Sequence, residues 1–182
     1  MSGTHPALRV IELASTRLCQ DIASLDTDQA LGIRLELRRA AWGADSDYLS
    51  AAQIQRLARG LPEQVTVDAA AVAHDTVFSS STGRILLNLL LLAADSLPAG
   101  GRITLAGDPD DLFIRISGPG AAWPAGIALC LANEVEARSA LTERHSLQMA
   151  VTALLAHAVG IRLSLLIPPA ARTEPAILRL GG

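Results

Sequence analysis

The chain has 182 residues and a formal net charge of -3; half of its residues are hydrophobic and only 3% are aromatic. That apolar content is enough for a packed core, whereas the lack of a basic groove with stacking rings excludes nucleic acid as a partner. All fifteen basic residues are arginines, so neither a phosphate-cradling lysine nor Schiff-base chemistry is available.

The N-terminus, Met1-Ser2-Gly3-Thr4-His5-Pro6, lacks the basic stretch and hydrophobic run of a secretory signal, and a cytoplasmic protein is expected. From Leu8, apolar residues recur at Ile11, Leu18, Ile22 and Leu25, close to a seven-residue repeat and hence one stripe of a helix. Asp26-Thr27-Asp28 can end that helix and cap a second one, whose stripe reads Leu31, Leu35, Arg38 and Trp42. Two amphipathic helices with so short a connection cannot bury their apolar faces alone. Pairing two such hairpins into a four-helix bundle, and hence a homodimer, is the expected solution; the competing arrangement folds the hairpin back onto its own second domain.

Residues 43–47 read as a linker, giving a hairpin over residues 1–45 and a second domain over 46–182. In that domain a helix is predicted over 50–59, with Ser50 as N-cap, and a strand over 65–67. A long buried helix follows over 81–96, then two strands over 102–105 and 112–116 joined by Gly107-Asp108-Pro109-Asp110. A helix over 147–159 leads to a strand over 161–167, which pairs with 176–180 across the Pro168-Pro169 loop. Strands in one layer and helices in the other give an α+β chain with an α/β sandwich as its main body. The longest apolar block, 85–94, is about half of the roughly 20 residues that a membrane span needs, so no membrane segment is expected. Cys19 and Cys130 stand alone, without ligand-spaced histidines; they read as buried small hydrophobes, with no disulfide and no metal site.

Three runs stand in order: Arg17-Leu18-Cys19-Gln20-Asp21-Ile22, then Asn88-Leu89-Leu90, then Ser96-Leu97-Pro98-Ala99-Gly100-Gly101. Together they resemble the ChpT-type histidine phosphotransferases, adaptors built like the core of a sensor kinase, and the resemblance extends over about residues 13–166. It implies a helical hairpin followed by a histidine-kinase ATPase-like sandwich, with receiver domains of response regulators or a hybrid kinase as partners. In that family the position of Gln20 carries the phosphoaccepting histidine, and Asp21 matches the acidic residue after it. An amide nitrogen is delocalised into its carbonyl and has no nucleophilic lone pair, so Gln20 cannot accept phosphate as an imidazole does.

The resemblance also supplies a test of nucleotide chemistry. In kinases the first motif runs Asn-Leu-Leu-x-Asn-Ala, and its second asparagine helps hold magnesium. Here the run is Asn88-Leu89-Leu90-Leu91-Leu92-Ala93, and Leu92 has no oxygen to offer a hard cation. Where a second motif places an adenine-binding aspartate, this chain reads Ile116-Ser117-Gly118-Pro119-Gly120, and no glycine lies between Gly126 and Gly160 to build a lid. Gly118 and Gly120 read as a turn. Asn88, Leu92, Ile116, Gly118 and Gly120 are therefore the positions of a degenerate ATP site, and no cofactor is expected.

Gln20 lies two residues from both Leu18 and Ile22, roughly 200° around the helix from each, and so points away from the bundle seam. Arg17, Gln20, Asp21 and Ser24 are the predicted partner-binding face. The hairpin is shorter than in the family, with about four or five helical turns in all between Gln20 and Trp42, which leaves less surface for a dimer. None of His5, His74, His145 or His157 occupies an obvious exposed helical face, and Ser79-Ser80-Ser81-Thr82 reads as a helix cap. The resulting expectation is a two-component adaptor that binds receiver domains without accepting phosphate. The alternatives are an active histidine phosphotransferase using a displaced histidine, and a structural dimer that binds an unrelated partner.

Overall fold

The computed structural model describes residues 29–43, 48–142, 146–167 and 175–181. The helix expected from Leu8, and with it Arg17, Gln20, Asp21 and Ser24, lies outside the described residues, as do Cys19, His5, His145 and the Pro168-Pro169 loop.

Five strands form one mixed sheet: β2 (Val65–Ala71), β4 (Gly101–Asp108), β5 (Asp111–Ser117), β7 (Ile177–Gly181) and β6 (Arg162–Leu166), in that spatial order. β2 and β4 run parallel and the other neighbours antiparallel. A parallel pair needs a crossover, and α3 (Ser80–Asp95) lies in the connection between them. A two-residue ladder, β1 (Leu49–Ser50) with β3 (Val77–Phe78), stands apart from the main sheet.

Period-two alternation decides the faces of the sheet. Ile103 and Leu105, then Leu112, Ile114 and Ile116, then Leu178 and Leu180, are buried beneath the helices. Their neighbours Arg102, Arg115 and Arg179 are exposed. The helical layer is built around α3 and α6 (Leu147–Val159), which pack against each other. α4 (Ile127–Ala132) and α5 (Glu134–Ser139) cover the flank of α6.

The helix starts follow from their caps. Ser50 Oγ accepts from Gln53 N at 3.2 Å while Gln53 Oε1 accepts from Ser50 N at 2.8 Å, a reciprocal box that opens α2 (Ala51–Ala58). Ser79 Oγ accepts from Thr82 N at 3.1 Å at the start of α3, in keeping with the capping role read for this serine run. The helices and strands expected over 50–59, 65–67, 81–96, 102–105, 112–116, 147–159, 161–167 and 176–180 are all present within a few residues. α4, α5 and the small β1–β3 ladder were not foreseen, because they are too short to show a period. β7 also does more than was expected of it: it pairs with β5 as well as β6, and so joins the β6 edge to the rest of the sheet.

The first described helix, α1 (Gln29–Trp42), meets the sandwich with a different side from the stripe read from the sequence. Burial peaks at Leu37 and Ala41. Leu31 and Arg38 are exposed, and Leu35 and Trp42 are only partly covered. Apolar residues occur on two sides of this helix, and periodicity alone cannot rank them. Tertiary contacts decide: α1 packs against α3 and α2, so that Leu37 and Ala41 enter the core of the sandwich. The close approach has a visible cause at Gly60, where an added Cβ would sit 2.8 Å from the Ile33 carbonyl oxygen. α1 thus packs on the sandwich of its own chain; the other helix of the expected hairpin lies outside the described residues.

Candidate functional site

α3 is the element on which the expected nucleotide motif falls, and its side chains divide sharply. Asn88 is fully buried, and it is hydrogen-bonded on every side. Its Nδ2 donates to the carbonyls of Ala41 (2.6 Å) and Arg84 (2.9 Å), and its Oδ1 accepts from Gln148 Nε2 at 3.0 Å. Arg84 donates from Nε to the Ala41 carbonyl (3.3 Å) and from Nη2 to the Trp42 carbonyl (3.1 Å). The last carbonyls of a helix lack intrahelical partners. Asn88 and Arg84 satisfy those of α1 and so hold its C-terminal end to the sandwich.

The same network continues into α6. Gln148 Nε2 also reaches Thr152 Oγ1 at 3.3 Å, and that hydroxyl donates to the Gln148 carbonyl at 2.7 Å. A buried amide must have its hydrogen bonds made, or it costs the full desolvation of the group. Asn88 makes them entirely with protein, so its side chain is a structural latch between α1, α3 and α6. Sequence reading missed Arg84, Gln148 and Thr152. The signal available was the run of one arginine and one asparagine, four residues apart, on an otherwise apolar helix.

Four residues beyond Asn88, Leu92 is 1% exposed, and Ile116 on β5 is likewise 1% exposed. Both are core hydrocarbons with no oxygen for a cation or an adenine amino group. Gly118 and Gly120 serve the backbone. Ala121 N–H donates to the Gly118 carbonyl at 3.2 Å, and Gly120 has φ +71°, closing a tight turn with Pro119 at its second position. A Cβ on Gly118 would lie 2.5 Å from the Gly100 carbonyl oxygen, so this glycine allows two loops to touch. Ala122 N–H donates to the Ser96 carbonyl, which sets the turn at the C-terminal end of α3. That is about 12 Å along the helix from Asn88, at 1.5 Å per residue. Neither of the two clefts defined among the described residues, beside Arg34 and beside His157, is lined by any of the five positions.

Among the described residues no group of three or more histidine, cysteine, aspartate or glutamate side chains could hold a metal ion, and no helix is long and apolar enough to cross a membrane. His74 lies exposed in a turn. His157, near the end of α6, is partly buried, with Nε2 3.0 Å from the Cys130 carbonyl oxygen. Cys130 is buried; desolvation, and then the charge of Glu136, push its thiol up, away from a reactive thiolate.

Comparison with known proteins accords with this architecture. Residues 51–171 match the family described as histidine phosphotransferase C-terminal domain. Among solved structures, a bacterial phosphotransferase determined at 1.7 Å is 19% identical, with a TM-score of 0.55 over 94% of this chain and 88% of that one. The mycobacterial sensor histidine kinase MprB is 20% identical over 75% of this chain and 95% of its own, with a TM-score of 0.49. The cytoplasmic segment of histidine kinase QseC is 13% identical over 100% and 97%, with a TM-score of 0.42. No curated protein matches.

Proposed function

The chain belongs to the histidine phosphotransferase C-terminal domain family of two-component signalling proteins, and from that premise we propose that it docks receiver domains of response regulators, or a hybrid kinase, without accepting phosphate. The observation that carries the proposal is Gln20 in the run Arg17-Leu18-Cys19-Gln20-Asp21-Ile22. A receiver's phosphoaspartate would meet an amide there, with no lone pair to attack phosphorus. Leu92 and Ile116 support the same reading from the sandwich, because the positions that would hold metal and adenine are filled by core side chains. Such a protein competes for, or gathers, relay partners instead of passing the signal on.

In this reading the hairpin of residues 1–45 supplies the docking face, Arg17, Gln20, Asp21 and Ser24, and the sandwich of 46–182 supports it. Pairing of two hairpins makes the homodimer. Exposed Leu31 and half-covered Leu35 on α1 give the second copy an apolar stripe to meet. The test is a titration of unphosphorylated receiver domain into the pure protein. Asp21→Arg reverses a charge in the proposed face and is expected to weaken binding at least tenfold, with Gln20→Ala weakening it less. Unchanged affinity in both variants would move the interface elsewhere.

A further inference from the structure

The five-stranded sheet ends in two edges, β2 and β6. An edge strand presents a row of backbone N–H and C=O groups that another extended chain can pair, and folds commonly guard it with a bulge or a charge. β2 is guarded in both ways. Its register slips between Asp68 and Ala71, and the Asp68 carboxylate turns back onto the Ala70 N–H at 3.1 Å. β6 has neither guard along most of its length. It pairs with β7 without irregularity, carries no charge after Arg162, and makes no backbone hydrogen bond on its outer side to another described segment. Ile167, directly beyond it, is 82% exposed.

Beside this edge a cleft of about 260 Å³ opens between α4, the C-terminal end of α6 and the start of β6. It is smaller than the roughly 300–1,000 Å³ of a small-molecule site and suits a single side chain. Ala153, Ala156 and Leu163 line it with buried hydrocarbon, and Leu131 and Ile161, both half-buried, leave apolar surface open to it. No carboxylate lines it. Alternation puts Arg162 on the other face of β6 from Leu163, where it is exposed and makes no ion pair with any described residue. Asp111, on the same cross-strand row beyond Gly181, has both carboxylate oxygens engaged by Arg179, at 2.6 and 3.1 Å.

We propose that the β6 edge binds an extended segment of a partner protein as an added strand antiparallel to β6, with an apolar side chain in the cleft and, one residue on, a carboxylate facing Arg162. Each feature selects part of that occupant. The unpaired backbone edge takes another extended backbone, the cleft takes a hydrocarbon side chain, and the uncommitted guanidinium takes an anion. Directly opposite residues of antiparallel strands share a face, so a segment that reads apolar and then acidic places these groups at Leu163 and Arg162. The surface is independent of the Gln20 face and of phosphate acceptance, and its failure would leave those readings untouched.

The experiment is titration of the full chain into a fluorescein-labelled peptide, Gly-Thr-Val-Thr-Leu-Asp-amide, followed by fluorescence anisotropy. In antiparallel register its Leu stands opposite Leu163 and its Asp opposite Arg162. The peptide is expected to saturate, and at saturation to slow hydrogen exchange over residues 162–166 but not over 65–71 at the other edge. Replacing its Asp by Lys is expected to weaken binding about tenfold. Arg162→Glu, at an exposed position and with its fold checked by circular dichroism, is expected to reverse that preference. A peptide N-methylated at every backbone amide cannot complete the ladder and is expected not to bind. The proposal is overturned if the parent peptide does not saturate, if the N-methylated one binds as well, or if Arg162→Glu still prefers Asp to Lys. It is also overturned if concentrating the chain alone protects residues 162–166, which would make a second copy the occupant of this edge.

Discussion

The two halves of α3 have the same helical geometry and opposite chemistry. In its first half Arg84 and Asn88 reach out to the carbonyl end of α1 and to Gln148 of α6. In its second half, residues 89–94 are hydrocarbon throughout and buried. A nucleotide site would need polar groups from both halves turned toward one open cavity. Here the polar half is satisfied internally and the apolar half is closed. The difference lies in what each position does for the fold: Asn88 has a hydrogen-bonding partner on three elements, whereas Leu92, four residues on, is core packing.

That contrast can be broken at either end. The largest effect is expected for Leu92→Asn, which restores the kinase-like pair in sequence. It removes core hydrocarbon and buries an amide with no evident partner, a loss of about 4 kcal/mol. Urea unfolding should show the loss, and magnesium–nucleotide binding should not appear, because Ile116 still occupies the adenine position. Recovery of nucleotide binding by this single change would mean that the cavity is latent, not filled.

A smaller effect is expected for Asn88→Leu. It removes the shortest of the three acceptors of the Gln148 amide and one donor from the Ala41 carbonyl, a loss of about 2 kcal/mol. Its signature is local: hydrogen exchange over residues 29–43 should accelerate more than in the sheet. Uniform acceleration would show that Asn88 supports the core generally instead of latching α1.

The smallest effect belongs to Asp95. Burial raises its carboxyl above the ordinary value of 3.8, with the charge of Arg38 pulling it partly back down. Because the folded-state value is the higher one, the folded protein holds a proton there over a window where the unfolded chain has released it. The stability Asp95 contributes is therefore full below 3.8 and is lost as pH rises through the raised value. Asp95→Asn should be slightly more stable than the parent at neutral pH and indistinguishable from it below that window. A less stable Asp95→Asn at neutral pH would mean that the pairing with Arg38 outweighs desolvation.

Much of this molecule could be read before its fold was known, and for identifiable reasons. Strands such as Leu112, Ile114 and Ile116 announce themselves by strict alternation, and helices such as α3 and α6 by long apolar runs with Ser50- or Ser79-type caps nearby. The expectation of a degenerate nucleotide site rested on Leu92 and Ile116, because absent oxygen atoms do not depend on geometry; both side chains are buried hydrocarbon. The side of α1 that packs on the sandwich was not foreseen because Leu31, Leu35 and Trp42 form as good a helical stripe as Leu37 and Ala41. Only the contact of Gly60 with the Ile33 carbonyl and the reach of Arg84 and Asn88 select between them.

The most direct test of the account is to expose the protein to a receiver domain carrying radiolabelled phosphate and to follow label on the adaptor, with Gln20→His beside the parent. The account predicts no label on the parent and acid-labile label on Gln20→His, which would mark an intact docking face that lacks only its acceptor. Acid-labile label on the parent would contradict it and turn the search to His5, His74, His145 and His157.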